Sequence, residues 1–168
     1  KKFDVSKWKS LEFPDGSHIS FPTDWSQSEV NSEKNILHGI RLQAPASKAS
    51  LKCYTRSRKN ADNYAQSLKD TMKRGGYTTI KAESKKINQR DVAQLSGTLA
   101  DKRMAVSIFE HQPNRYFIVR LIDSKKEFAK LQPYYGAIVD SYGDTGVSST
   151  SAVSIEELEQ DLEKSIED

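Results

Sequence analysis

The sequence predicts an α+β fold, in which a central antiparallel sheet of about six strands lies between helices on both faces and an acidic helix follows at the C-terminus. Three observations predict this fold. Short segments alternate apolar and polar residues, as strands with one covered face do. Two longer segments carry apolar residues at helical spacing. Residues 155–168 combine helical spacing with strong acidity.

The chain begins with a predicted β-hairpin. Strand-like segments at residues 11–13 and 18–21 flank Pro14-Asp15-Gly16, a connection typical of a tight turn. Pro22 then ends the second strand, because proline has no N–H to donate to a neighbouring strand.

Two strands and a helix are predicted next. Residues 36–43 and 50–56 alternate apolar and polar side chains, which indicates strands with one buried face. A helix follows over about residues 61–74, with Asn60 as its predicted N-cap. Gly75-Gly76 supplies the left-handed position that often ends a helix.

The second half of the chain predicts an antiparallel meander. Residues 77–88 are strand-like but diluted by lysines, which is typical of an edge strand. Residues 91–122 contain three apolar strands separated by short turns. Together with the helical segment that follows, up to Tyr142, these strands form the densest apolar region, so we expect residues 91–142 to supply most of the core.

A closing helical segment follows the meander. Ser124 and Glu127 have the spacing of a capping box at a helix start. Pro133 interrupts the pattern, because an interior proline costs about 3 kcal/mol. We therefore predict a short turn to Leu131 and a second helix that begins near Pro133. One face is apolar: Phe128, Leu131, Tyr135, Ile138, Val139 and Tyr142.

These elements divide the chain into a single domain (residues 1–142), a flexible linker (143–153) and an acidic amphipathic helix (154–168). Residues 155–168 carry seven acidic residues and one basic residue, a net charge of −6, whereas residues 1–154 carry 25 basic and 16 acidic residues, a net charge of +9. A helix this short is marginal in water, so we expect it to dock on its own basic body or on another copy of the chain. Its predicted contact stripe is Ile155, Leu158, Leu162 and Ile166.

Composition restricts the class of protein. No apolar run approaches the ~18 residues that a membrane-spanning helix needs, so no transmembrane span is predicted. The chain has one cysteine, which excludes an internal disulfide and a cysteine-based zinc cluster. It starts at Lys1 without Met or an apolar leader, so we expect a trimmed start or a removed targeting segment.

No catalytic, cofactor-binding or metal-binding residues are predicted. Cys53 lies in mid-strand on the apolar side and is interpreted as a core residue. His18, His38 and His111 lie on three different strand regions and are interpreted as independent surface or edge residues. No glycine-rich phosphate loop and no calcium loop is present in the sequence.

Two further groups of residues are candidates for partner contacts. Trp25 is interpreted as a core residue, whereas Trp8 lies in a polar segment and is the better candidate for an exposed contact. A basic cluster around an aromatic residue expected to be exposed could neutralise anions and stack on a base. Its members are Lys52, Tyr54, Arg56, Arg58 and Lys59.

Two segments resemble the PsbP-like fold, which includes Mog-type Ran-binding factors and bacterial DcrB-like lipoproteins. Residues 19–25, ISFPTDW, are similar to the family's strand ending in Pro-x-x-Trp. Residues 128–142, FAKLQPYYGAIVDSY, are similar to its closing helix. The resemblance, closest to the DcrB-like proteins, implies an antiparallel sheet between helices and a non-enzymatic assembly, adhesion or cargo-binding role.

The leading hypothesis is therefore a non-enzymatic interaction or assembly module without a cofactor, exported as a bacterial lipoprotein or periplasmic protein. A cytoplasmic location is the alternative compartment. Its protein partner is not identified by the sequence, and self-association through the C-terminal helix is one arrangement to test. The alternative function is a basic binding protein for nucleic acid or another polyanion.

Overall fold

The computed structural model describes residues 3–30, 36–45, 47–57 and 63–144. Within these ranges the chain forms strands and two α-helices, α1 (Tyr64–Arg74) and α2 (Lys125–Asp140). The strands are β1 (Lys9–Glu12), β2 (Ser17–Phe21), β3 (Ser26–Glu29), β4 (Ile36–Gln43), β5 (Ser50–Ser57), β6 (Thr78–Ile87), β7 (Arg90–Leu99), β8 (Lys102–Gln112), β9 (Arg115–Ser124) and β10 (Gly143–Asp144).

The strands form two antiparallel sheets. The larger sheet has seven strands in the order β3-β4-β5-β9-β8-β7-β6, and the smaller has three in the order β1-β2-β10. The predicted α+β class is confirmed, but the predicted strand number of about six is too small. One reason is β3, whose sequence SQSE is exposed throughout and has no apolar alternation to reveal a strand.

The two helices cover opposite faces of the large sheet, as predicted. Alternate residues of β9 point to opposite sides, because the side-chain period of a strand is two. Phe117 and Val119 belong to a core cluster with Phe128 of α2, whereas Tyr116 and Ile118 belong to a second cluster with α1. The 91–122 meander therefore contributes to both cores, and residues 91–142 supply more than half of the buried residues of the two clusters, as expected.

The N-terminal hairpin also forms as predicted. β1 pairs with β2 through a turn in which Gly16 adopts φ 91°, a left-handed conformation that glycine tolerates. The smaller sheet is tied to the end of α2, because the backbone N–H of Ser20 donates to Ser141 Oγ at 2.8 Å. Trp25 is buried, as expected for a core residue.

Helix α1 begins later than predicted. Its N-cap is Asn63, whose side-chain oxygen accepts from the backbone N–H of Gln66 at 3.1 Å. The predicted N-cap, Asn60, and the predicted first turn at residues 61–62 lie outside the described residues. The helix ends as expected, with Gly76 at φ 91°.

Helix α2 runs without a break through Pro133, so the predicted division into two helices is wrong. The missing N–H of Pro133 leaves the carbonyl of Ala129 without its helical partner. Both residues are exposed, so water can hydrate that carbonyl, while the buried residues on either side keep the helix on the sheet. The predicted cap is present, since Ser124 Oγ accepts from the backbone N–H of Glu127 at 3.3 Å.

The ends of the described chain complete the fold. β6 is an edge strand with lysines, as predicted. The first two residues of the predicted linker instead form β10, which pairs with β2. The rest of that linker and the predicted C-terminal helix lie outside the described residues.

Neither helix in the described ranges is long and apolar enough to cross a membrane.

Candidate functional site

Three basic residues lie side by side on the face of the large sheet that α1 partly covers. Strand register pairs Arg41 of β4 with Lys52 of β5, and Lys52 with Arg120 of β9. Directly opposed residues in antiparallel strands have Cα atoms about 5 Å apart and project to the same side. We call Arg41, Lys52 and Arg120 the basic row.

The strand positions next to the basic row carry no carboxylate among the described residues. Along the row, the flanking strands contribute Ser28 and Val106. The two neighbouring rows on these three strands consist of uncharged residues: Gln43, Ser50 and Ile122 on one side, and Gly39, Tyr54 and Ile118 on the other. No described strand neighbour therefore compensates the charges of Arg41 and Arg120.

The three members of the row differ in exposure. Arg41 is exposed and Arg120 is half-buried, whereas Lys52 is only 8% exposed. Neither arginine makes a side-chain hydrogen bond or ion pair with any residue in the described ranges. The Lys52 ammonium lies 5.4 Å from the centre of the Tyr54 ring, a distance at which cation and ring attract. Like charges at directly opposed positions destabilise a sheet, so an anion bound across the row would relieve repulsion.

Only some members of the basic cluster predicted from the sequence belong to this surface. Tyr54 is 5% exposed, so the expectation of an exposed aromatic that could stack on a base is wrong. Arg56 lies further along β5, where its Nη1 donates to Tyr64 Oη at 3.1 Å and fixes the first turn of α1 to the sheet. Arg58 and Lys59 lie outside the described residues.

Sequence reasoning missed Arg41 and Arg120. Each is a single basic residue on an otherwise ordinary strand, and only the pairing of β5 with β9 brings Lys52 next to Arg120. The alternation of β4 and β9 could have placed each arginine on the correct face of its strand. No local signal, however, specifies which strands become neighbours.

Cys53 is a core residue, as expected. It is fully buried between Ile40 and Val119 on the neighbouring strands, and burial raises the pKa of its thiol far above the usual range. A thiol that stays protonated and has no solvent access is a poor nucleophile.

The histidines remain separate, with one difference from expectation. His18 and His38 lie on β2 and β4, and His38 is exposed. His111 is only 4% exposed, and its Nδ1 lies 3.5 Å from Asp144 Oδ2. No group of three or more potential ligands that could hold a metal ion occurs within the described ranges.

Asp144 is the centre of a buried polar cluster. Its carboxylate accepts from Arg90 Nε at 2.8 Å and Nη2 at 2.9 Å, and from Tyr142 Oη at 3.0 Å. Burial opposes ionisation of Asp144, but the hydrogen bonds from Arg90 and Tyr142 outweigh it, so the pKa of the carboxyl lies below its usual value. The hydrogen bond to Asp144 raises the pKa of Arg90. The cluster holds β10 against the rest of the domain.

The architecture is that of the PsbP-like fold, which confirms the fold that the sequence resemblance implies. The solution structure of cyanobacterial PsbP (CyanoP) from Synechocystis sp. PCC 6803 superposes with a TM-score of 0.60 over 86% of this chain and 96% of that chain, at 9% identity. A crystal structure from Bacteroides thetaiotaomicron gives a TM-score of 0.51 over 82% of this chain and 48% of that chain, at 14% identity.

At these identities the likeness is one of fold. This chain spans about half the length of the Bacteroides protein. No family model matches the sequence, and no curated protein matches it either.

Proposed function

We propose that this protein is a non-enzymatic binding module that recognises an acidic segment of a partner protein through the basic row. The observation that carries the proposal is the alignment of Arg41, Lys52 and Arg120 on three adjacent strands, in which neither arginine has a hydrogen bond or ion pair with a described residue. The PsbP-like fold supplies a rigid sheet on which such a row keeps its geometry.

The geometry suits an extended acidic segment that crosses the strands. Alternate residues of an extended chain are about 6.6 Å apart, and the long side chains of the row adjust to that spacing from Cα positions about 5 Å apart. Lys52 is nearly buried, so its interaction with a bound carboxylate is less screened by water than that of Arg41. A row of one sign also steers an acidic partner during the encounter.

The reactive side chains named below stabilise the fold within the described ranges, and this supports a non-enzymatic role. The thiol of Cys53 is buried among apolar residues, and the carboxylate of Asp144 is held by Arg90. The hydroxyl of Tyr135 lies 2.6 Å from Ser107 Oγ and donates to the carbonyl of Val119 at 3.2 Å. Each of these groups already has a stabilising role in the fold.

Binding to an oligoglutamate peptide, followed by fluorescence anisotropy, tests the proposal. The double variant Arg41→Gln with Arg120→Gln is expected to bind about tenfold more weakly, equivalent to about 1.4 kcal/mol. Lys73→Gln with Lys102→Gln is the matched control, since it removes the same charge from two exposed positions elsewhere. If both double variants lose affinity for the peptide by the same factor, the effect is one of net charge, and a specific role of the basic row is refuted.

The second candidate is a binding protein for nucleic acid or another polyanion through the same row. The absence of carboxylates from the neighbouring rows favours it, whereas burial of Tyr54 removes the aromatic platform that single-stranded nucleic acid uses. Titration with single-stranded DNA at several salt concentrations separates the two candidates. Tighter binding to DNA than to the peptide, with an affinity that falls steeply with salt, would favour the polyanion function.

We further propose that the protein acts outside the cytoplasm as a lipoprotein of the DcrB-like kind. The similarity of residues 19–25 and 128–142 to motifs of the PsbP-like fold, which includes the DcrB-like lipoproteins, supports this location. Fractionation of cells that express the native gene, combined with palmitate labelling, tests it. Recovery of unlabelled protein in the cytoplasmic fraction would contradict it.

A further inference from the structure

Strand β6 forms one edge of the large sheet and is exposed on both of its faces. Within the described ranges it pairs only with β7. Residues 82–86 are all exposed, so neither helix covers this part of the strand. An edge strand presents a row of backbone N–H and C=O groups that a strand of another chain can use. β6 is therefore a place where the sheet can continue into a second molecule.

The turn after β6 shows which residues present those backbone groups. Asn88 and Gln89 both have positive φ, 47° and 69°, and the strand register pairs Ile87 with Arg90. These are the features of a type I′ hairpin, in which the two flanking residues are joined by a backbone hydrogen bond. Bonded and non-bonded pairs alternate along antiparallel strands, so every second residue of β6, counted back from Ile87, bonds to β7. The residues between them point their backbone groups away from the sheet: Ala82, Ser84 and Lys86.

The side chains of β6 on the α2 side alternate in charge. Lys81, Glu83 and Lys85 share this side, because the side-chain period of a strand is two. Lys85 Nζ lies 3.4 Å from Asp140 Oδ1 of α2. Glu83 has no hydrogen bond or ion pair with a described residue, and its neighbour on β7 is the uncharged Gln94. An acidic side chain between two lysines on an open edge is complementary to a strand with the same pattern that runs in the opposite direction.

We propose that β6 pairs with β6 of a second copy of this chain, antiparallel and with Ser84 opposite Ser84. The outward backbone groups then meet, since Ser84 bonds to Ser84 and Ala82 bonds to Lys86 of the other copy. Glu83 of each copy lies directly opposite Lys85 of the other. That pair is a non-hydrogen-bonded one, in which the Cα atoms are about 4.5 Å apart and the side chains are closest.

The order of the charges selects this register. The smallest shift that keeps the outward backbone groups opposite one another is two residues. Such a shift places Glu83 opposite Glu83 in one direction and Lys85 opposite Lys85 in the other, and directly opposed like charges destabilise a sheet. A shift of four residues would place Glu83 opposite Lys81, but it extends the contact into the irregular segment between Thr78 and Lys81, where Thr79 has φ 52°.

The contact is small, so the dimer should be weak. A single pair of edge strands belongs to the class of interfaces below about 1,200 Å². The lysines that discourage pairing of an edge strand with other chains also act against every register in which they face one another. β7 and β8 separate β6 from β9, so the contact does not involve the basic row.

Sedimentation velocity of the full chain at increasing protein concentration tests this dimer. The native protein is expected to shift from monomer towards dimer as its concentration rises. Glu83→Lys and Lys85→Glu should each weaken self-association about tenfold, because each places two pairs of like charges opposite one another. An equimolar mixture of the two variants should form a heterodimer, since positions 83 and 85 are then basic in one copy and acidic in the other. A native protein that remains monomeric at every concentration would overturn the proposal.

Charge variants away from this edge control for net charge. Glu12→Lys on β1 and Lys126→Glu on α2 make the same changes of charge at exposed positions. Each is expected to self-associate as the native protein does. If these variants lose self-association as strongly as the edge variants, or if the mixed edge variants stay monomeric, pairing through Glu83 and Lys85 is refuted.

Cross-linking identifies the edge independently. In Ser84→Cys the two introduced thiols lie opposite each other, with Cα atoms about 5.5 Å apart, so a short bis-maleimide should join two copies. Ser28→Cys, at an exposed position on the other edge strand, β3, is the matched control and should remain monomeric. Cys53 is buried and does not react. Equal cross-linking of the two variants, or none of Ser84→Cys, would contradict pairing through β6.

Discussion

Replacement of Asp144 by asparagine should reduce the free energy of unfolding by about 1.5–3 kcal/mol at pH 7, the range for hydrogen bonds to charged groups. The side chain of Asp144 is 2% exposed and accepts a forked pair of bonds from Arg90 at 2.8 and 2.9 Å. Complete burial of both partners would predict about 3–5 kcal/mol. Arg90 is 25% exposed, so its guanidinium can regain water and the lower range applies.

The pKa of the Asp144 carboxyl also predicts how the free energy of unfolding changes at acidic pH. The pKa of Asp144 in the folded protein lies below its usual value, and the cluster around it contains Arg90, His111 and Tyr142. A lowered pKa adds stability that is fully present above the unfolded-state pKa and is lost as the pH falls through the folded-state pKa. The native protein should therefore lose this contribution below about pH 4, and Asp144→Asn should not.

Urea denaturation at pH 7 and at several lower pH values measures both effects. Asp91→Asn is the control, because Asp91 is 87% exposed and its ion pair with Lys86 is 3.9 Å long. We expect it to change stability by less than about 1 kcal/mol. A loss in Asp144→Asn no larger than in this control, or an unchanged acid-dependent loss, would refute the assigned role of the cluster.

Three further predictions concern the core. Cys53 should resist alkylation in the native protein and react on unfolding in urea, because it is fully buried and burial raises its thiol pKa; rapid native-state reaction would show that the strand opens. Tyr135→Phe should cost about 1–2 kcal/mol in thermal unfolding, since it removes the contacts to Ser107 and to a backbone carbonyl; an unchanged melting temperature would contradict this. Gly97→Ala should cost about 1–3 kcal/mol, since the added Cβ would lie 2.9 Å from Met72 Cε; a neutral result would mean that the methionine moves aside easily.

Local features of the fold could be predicted from the sequence because their signals lie within a few residues. The 91–122 meander and the hairpin around Gly16 are examples, since alternation and turn residues specify each strand. The continuity of α2 through Pro133 could not be predicted, because burial of residues on both sides outweighs the local cost of proline.

The candidate site could not be predicted in full, because it depends on the pairing of strands that are far apart in the sequence. Lys52 was recognised from the sequence, but Arg120 becomes its neighbour only when β9 inserts between β5 and β8. Burial of Tyr54 follows from the same arrangement, because Ile118 lies directly beside it. No pattern within either strand reports that contact, so the basic row could be found only in three dimensions.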